Sequence, residues 1–373
     1  WSILFKAIFQ KNSLDKDIID RWGFKEDRAF LFSRSAWSLD FIAKYRLLIK
    51  EKDSINIWIP SYFCNSSLAP LRELKTNLIF YPIRNNGSPD TKAMNDMLLT
   101  NQNPDLILAV HYFGKIMKLE QISEIAERTG AWLIEDSAHV LKTKELSPFS
   151  HFTLFSPHKF LPIYGGAILS VNDRFSNLDS LKRGLKDYYH EYINSNLKGN
   201  NKENIWLIKR IIQKLGINRT KTLNEFPTDE IVMTSKKLPS PRMSQLSKKL
   251  LSLLSDSLEN EESIRKFNYK AWISFLRSQE YQLSEIFKHS KSNSPYMLGV
   301  VFNSEAELAS ALKDFNINKV PISSWPDLPP EVLGNKKIYG ETLQLRLKSL
   351  FFPVHSSIRE KDIESSSKKY KRT

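Results

Sequence analysis

The chain is 373 residues long, 41% hydrophobic and 26% charged, enough for one large core or for one large and one smaller domain of an ordinary globular protein. It has no run of about eighteen apolar residues, which excludes a membrane-spanning helix. Its 55 Lys and Arg against 41 Asp and Glu give a formal charge of +14, but they are dispersed and carry no DNA or RNA motif, so nucleic acid is not the expected partner; the charge would equally suit a sugar nucleotide, a phosphate cofactor or an anionic membrane face, and for most of the lysines it reads as a solubilising surface.

The chain opens on WSILFKAIFQ, which has neither a basic start nor a small-residue cleavage site, so no secretory signal is expected. The absence of an initiator methionine points to trimming before Trp1. From Phe30 to Ser170 strands and helices alternate at the spacing of crossover units, the mark of an α/β domain. Ser33, Arg34, Ser35 and Ala36 stand where a helix begins, its apolar face being Leu39, Ile42, Ala43 and Leu47. Open amides there make an anion site to which hydroxyls at 33 and 35 add donors, and either serine also serves as a plain N-cap. Residues 55–59 (INIWI) read as a strand stopped by Pro60. Tyr62 and Phe63 just beyond it are candidates for an aromatic plate against a flat ligand, or for core aromatics. Cys64 is the only cysteine, which excludes an intrachain disulfide and a Cys-based zinc site and makes a reducing cytoplasm the expected compartment.

Strands are expected at 77–82 and 105–111, and a helix over 118–128 with Gly130 as its left-handed cap. Two apolar runs follow, 131–134 and 152–155, and each ends abruptly on polar groups. Glu135, Asp136 and His139 come after the first, and Ser156, His158 and Lys159 after the second. Strands of an open parallel sheet deliver side chains into a crevice at their carboxyl ends in this way. An acid, a lysine and a hydroxyl gathered there suit pyridoxal phosphate. Asp136 would hold the pyridine nitrogen protonated, Lys159 would form the Schiff base, His139 would lie against the ring and Ser156 would hold the phosphate. Taken singly, Asp136 also reads as a helix cap and Lys159 as a surface lysine. No GxSxG elbow, HExxH helix, Walker loop or GxGxxG turn is present.

Residues 165–171 make a last strand, and from about 177 to 237 the composition turns basic and asparagine-rich, as an insertion or domain connection does. Within it 206–217 is a basic amphipathic helix, expected to pack on its own domain in preference to a membrane surface. Residues 243–275 have helical spacing. A strand at 297–302, a helix at 304–315 and an apolar run at 350–354 suit a small α+β domain.

HYFG (111–114), LIEDSAH (133–139) and SPHKFLPIYGG (156–166) resemble the DegT/DnrJ/StrS family of nucleotide-sugar aminotransferases, and SPRMSQLSKKLL (240–251), RKFNYKAW (265–272) and LFFPVH (350–355) repeat the likeness more faintly. The resemblance implies a fold type I α/β transferase. A large, mainly parallel mixed-sheet domain over 1–235 would be followed by a smaller C-terminal α+β domain over 236–373. It also implies pyridoxal phosphate with pyridoxamine phosphate as its partner form, a keto-sugar nucleotide acceptor, glutamate as donor, and a homodimer with the site at its interface. Residue by residue, Lys159 matches the Schiff-base lysine, Asp136 the pyridine-nitrogen acid, His139 a ring contact and Ser156 the phosphate serine. Ser33, Arg34 and Ser35 stand at the phosphate turn, and Ser240 replaces an asparagine that reaches the phosphate from the neighbouring subunit. Two alternatives stay open: a pyridoxamine-dependent sugar dehydratase with His158 as base, and a non-catalytic relative that binds a sugar nucleotide.

Overall fold

A computed structural model describes residues 2–9, 15–100, 103–141, 148–175, 178–195, 202–214, 238–281, 284–315 and 320–367. A seven-stranded sheet lies at its centre. Its strands are β1 (Ala29–Phe32), β2 (Ile55–Pro60), β3 (Thr76–Tyr81), β4 (Leu106–Val110), β5 (Trp132–Ser137), β6 (Phe152–Phe155) and β7 (Ala167–Val171), in the spatial order β1-β7-β6-β5-β4-β2-β3. The pairs from β3 across to β6 are parallel, and β7 runs antiparallel to both of its neighbours. Parallel strands are covered on both faces and so read as continuous apolar runs. β4 and β5 are accordingly buried at every position. A smaller antiparallel sheet is built from β8 (Ser284–Ile286), β9 (Met297–Val301) and β10 (Ser349–Pro353), in the order β10-β9-β8. Its own core runs from Tyr269 and Trp272 to Ile363.

The expected strands at 55–59, 77–82, 105–111, 152–155 and 165–171 agree with β2, β3, β4, β6 and β7 to within two residues at each end. β5 differs, because pairing with β4 and β6 carries it on through Glu135 and Asp136 to Ser137. The helix expected over 118–128 is Glu120–Thr129, and Gly130 caps it at φ 65, where its N–H reaches the carbonyls of Ala126 and Glu127.

The segment read as an insertion holds the helix Leu178–Ser195, whose Tyr189 and Tyr192 rings pack on Phe32 and Phe41. Residues 196–201 and 215–237 of that segment lie outside the described residues. The amphipathic helix is Lys202–Lys214, of which Trp206 joins a core shared with Ile3, Leu4 and Leu246 while Ile205, Ile208, Ile211 and Ile212 are exposed. Among the described residues no helix is long and apolar enough to cross a membrane.

Candidate active site

Side chains alternate between the faces of a strand, so Trp132, Ile134 and Asp136 of β5 share one face and Leu133, Glu135 and Ser137 the other. The helix Ser35–Lys50 covers the first face. Its Tyr45 stacks on the Trp132 ring and its Arg46 guanidinium sits 4.3 Å from that ring's centroid. Asp136 therefore emerges at the strand's carboxyl end on the side of this helix. After β6 the chain passes through Ser156 into a single tight turn, Pro157–Lys159, closed by the Lys159 N–H donating to the Ser156 carbonyl at 2.9 Å. Pro157 opens that turn with its backbone angle already set. Asp136 and Lys159 thus line one cavity, together with Ser35, Phe63, His139 and Trp325. The room left between them is ≈ 20 Å³, enough for about one water molecule.

The cavity is dry enough to shift its charges. Burial pushes the Asp136 carboxyl above its ordinary value, against the pull of the Lys159 ammonium and of the Ala138 N–H, which donates to Oδ1 at 2.8 Å. Lys159 moves the other way: burial lowers it, while Asp136 and Cys64 hold it up. His139 is driven well below its ordinary value by burial and then by Lys159, so its ring is neutral. Its Nδ1 is buried with no hydrogen-bond partner among the described residues, and so is the Ser156 Oγ.

At the far end of the cavity the predicted residues divide. Ser35 lines the cavity as the first residue of its helix, and no side chain caps the amides of that helix's first turn. Ser33 instead donates its hydroxyl to the Ser240 carbonyl at 2.5 Å and its N–H to the Pro241 carbonyl at 2.7 Å. Arg34 donates to the Ser33 carbonyl at 2.8 Å and faces the Tyr164 ring at 5.4 Å. Gly165 fits there because a Cβ on it would come within 2.8 Å of the Ser33 carbonyl oxygen. Ser33 and Ser240 therefore tie the 240–242 segment to the end of β1, Arg34 turns toward Tyr164, and none of the three lines the cavity. Tyr62 lies in the aromatic core against Tyr112, Phe287 and Trp325, and its hydroxyl donates to the Trp325 carbonyl.

Two orphaned buried polar atoms, an uncapped helix start, a buried acid and a depressed lysine are what pyridoxal phosphate asks of a protein, and these residues fit it. Asp136, His139, Lys159 and the Ser35 end of the helix line the cavity and would hold it, joined by Ser156, whose buried Oγ is unpartnered although the residue does not itself line the cavity.

Residues 65–201 match the DegT/DnrJ/EryC1/StrS aminotransferase family. That match covers just over a third of the chain. The chain is 31% identical over 146 residues to a UDP-4-amino-4,6-dideoxy-N-acetyl-beta-L-altrosamine transaminase of Campylobacter jejuni, covering 37% of this chain and 38% of that one. Over 181 residues it is 27% identical to the putative pyridoxal phosphate-dependent aminotransferase EpsN of Bacillus subtilis, 43% of either chain. It thus spans less than half the length of the curated relatives it matches. Among solved structures, the aminotransferase TlmJ from Streptoalloteichus hindustanus superposes with a TM-score of 0.69 at 13% identity over 98% of this chain and 93% of its own. Helicobacter pylori PseC, an aminotransferase involved in the biosynthesis of pseudoaminic acid, gives 0.67 at 14% over 97% and 92%. At such identities these neighbours establish the fold, that of the fold type I transferases.

Three residues in or against the cavity escaped the sequence reading. Trp325 closes the cavity from a loop far down the chain, its ring set edgewise to His139 at 5.1 Å. Tyr296 lies face to face with the same imidazole at 4.4 Å. Cys64 lines the cavity beside Lys159, and burial together with the Asp327 carboxylate, which its Sγ contacts at 2.8 Å, pushes its thiol up to about 11. No periodicity or local spacing marks any of the three. Glu135, which the sequence placed with Asp136, turns to the opposite face, fully buried and hydrogen-bonded to His111 and Ser150.

Proposed function

We propose that this protein is a pyridoxal-phosphate-dependent aminotransferase that moves an amino group from an amino acid, with glutamate as the expected donor, onto a keto-sugar nucleotide. Such a product serves polysaccharide, lipopolysaccharide or secondary-metabolite biosynthesis. The observation that carries the reading is the meeting of Asp136 and Lys159 in one dry cavity, with burial pushing the two pKa values toward their neutral forms. The sugar nucleotide is supported by the names of the curated relatives. A homodimer and a cytoplasmic location belong to the same reading.

Pyridoxal phosphate, when bound, supplies the electron sink that lets a proton leave the donor's α-carbon. The chain's own residues do the rest. Lys159 would hold the cofactor through Nζ and is the base placed to take and return that proton, a task that its depressed pKa suits. Asp136 would keep the ring nitrogen protonated. The amides at the start of Ser35–Lys50 and the Ser156 hydroxyl would receive the phosphate. Phe63 and Trp325 keep water out.

The dehydratase alternative loses its base in this geometry. His158 has its Nδ1 on the Gly166 carbonyl at 2.8 Å, does not line the cavity, and is pushed down to about 3 by burial and by Arg34. The test is direct. Purified protein with added pyridoxal phosphate is expected to show a visible absorption band, and borohydride followed by peptide mapping is expected to place the adduct on Lys159. Turnover of glutamate against a panel of nucleotide keto sugars then identifies the acceptor. No band, an adduct on another lysine, or a band that survives Lys159→Ala overturns the proposal.

A further inference from the structure

Arg265 is a guanidinium 1% exposed, on the helix Leu258–Ser278 and away from the cavity. Its Nε donates to the Glu261 carboxylate one turn back at 2.7 Å, its Nη1 to the Tyr296 carbonyl at 3.2 Å and its Nη2 to the Phe160 carbonyl at 3.1 Å. Its plane sits 4.8 Å from the centroid of the Phe160 ring. Burial pulls the guanidinium down and Glu261 holds it up; with a pKa that starts so high, it stays charged.

The two carbonyls it joins belong to different walls of the site. Phe160 follows Lys159 directly, so its carbonyl reports where the lysine turn lies. Tyr296 precedes β9, stacks on His139 at 4.4 Å and touches the Phe160 ring at 5.3 Å. A planar fork with fixed donor directions can set the distance between two acceptors, which a point charge on a flexible stem does less well. We propose that Arg265 is a positioning residue, holding the Lys159 turn in register with the Tyr296–His139 stack. The inference rests on the proposed function for the meaning of Lys159, but its geometry does not depend on a bound cofactor.

The neighbouring Asn268 supplies the control. Lying on the same helix, it is also buried, and donates its side-chain amide to the carbonyls of Val354, His355 and Ile358, on the small-sheet side. A merely structural role for this helix predicts that both residues behave alike.

The experiment is reductive methylation of cofactor-free protein with formaldehyde and cyanoborohydride across a pH series, with Lys159 labelling read by peptide mass. Burial sets the Lys159 titration first and lowers it, and Asp136 and Cys64 act against that; His139 and His158 also face the lysine and are themselves pushed down by it. Arg265→Met loosens the turn, admits water and removes a positive charge, all of which raise the labelling midpoint, by about one pH unit. Arg265→Lys restores the charge without the fork and is expected to shift the midpoint by about half as much. Asn268→Ala lowers the melting temperature and leaves the midpoint where it was. A folded Arg265→Met with the wild-type midpoint, or an Asn268→Ala shift of equal size, overturns the proposal. If Arg265→Met does not fold, an unshifted Arg265→Lys overturns it alone. A wild-type protein that labels as expected yet gives no visible band with pyridoxal phosphate rejects the proposed function and leaves this inference standing.

Discussion

The ring of Tyr296 lies face to face with that of His139, centroids 4.4 Å apart and planes 10° from parallel. His139 comes from the end of β5, and Tyr296 arrives just before β9, so the contact joins the large sheet to the small one at the cavity wall. On its remaining side the imidazole meets Phe113 at 4.9 Å and the edge of Trp325 at 5.1 Å. Such a ring cannot turn without disturbing three aromatics. A stacked pair of this kind is worth about 1 kcal/mol beyond the area it buries. Tyr296→Leu is therefore expected to weaken cofactor binding about fivefold, the equivalent of that energy, in a titration followed by the visible band. Tyr296→Phe keeps the stack and is expected to bind as wild type does. Equal effects of the two substitutions would show that the hydroxyl matters and the stack does not.

The coupling between Asp136 and Lys159 has a pH signature. Burial lowers the lysine, and the Asp136 carboxylate partly restores it. Asp136→Asn removes the restoring charge, so the free amine forms at lower pH and the midpoint for attachment of pyridoxal phosphate moves down. The same substitution takes away the group that keeps the ring nitrogen protonated, so turnover is expected to fall by on the order of a hundredfold or more. Stopped-flow absorbance against pH and steady-state turnover read the two effects separately. A midpoint that rises in Asp136→Asn contradicts the direction argued here.

What the sequence made legible follows from how a parallel sheet is built. DLILAV and AWLIED are apolar because both faces of β4 and β5 are covered, and their polar endings stand out for the same reason. Asp136 and Lys159 could be paired from the endings of the neighbouring strands β5 and β6. β1 offered no such signal, being four residues long and recognisable only through its antiparallel partner β7. The helix Leu178–Ser195 was hidden because its packed face mixes Leu185 and Ile193 with the large polar-tipped rings of Tyr188, Tyr189 and Tyr192, which blurs the apolar spacing. Whether the Ser33 hydroxyl is open to a phosphate depends on the Ser240 carbonyl, brought from far along the chain, and no local reading supplies it. Tyr296, Trp325 and Arg265 reach the site by the same long route.

Beneath Asp136, on the opposite face of β5, a buried pair carries stability. His111 accepts the Met117 N–H at Nδ1 at 3.0 Å, so the proton of its neutral ring sits on Nε2 and is donated to Glu135 Oε1 at 2.7 Å. Glu135 Oε2 accepts from the hydroxyls of Ser150 at 2.9 Å and Thr153 at 3.3 Å, and Asn172 in turn donates to both of these. Every side-chain atom of the pair is sealed from water. His111→Ala leaves a buried carboxylate short of a donor and the Met117 N–H without its acceptor, a loss of roughly 3 kcal/mol. Urea unfolding of the cofactor-free protein measures it. A loss under about 1 kcal/mol would mean that water enters and replaces the imidazole.

Trp325 forms one wall of the cavity. It lines the cavity beside Lys159, sets its edge against Phe113 at 5.4 Å and His139 at 5.1 Å, and leaves room for about one water molecule between the walls. A pyridine ring is larger than that space, so binding requires this indole or its neighbours to shift, and the bound cofactor comes to lie within a few ångströms of a tryptophan. Pyridoxal phosphate is therefore expected to quench part of the intrinsic fluorescence with the same concentration dependence as the visible band. The protein has 8 tryptophans, so the assignment needs Trp325→Phe, which keeps an aromatic wall and removes the fluorophore. In that variant the quenching amplitude is expected to shrink by half or more, since Trp325 is the one tryptophan among the described residues that lines the cavity and energy transfer falls steeply with distance, while the visible band still forms. Undiminished quenching in Trp325→Phe would place the cofactor nearer to another indole and away from this wall.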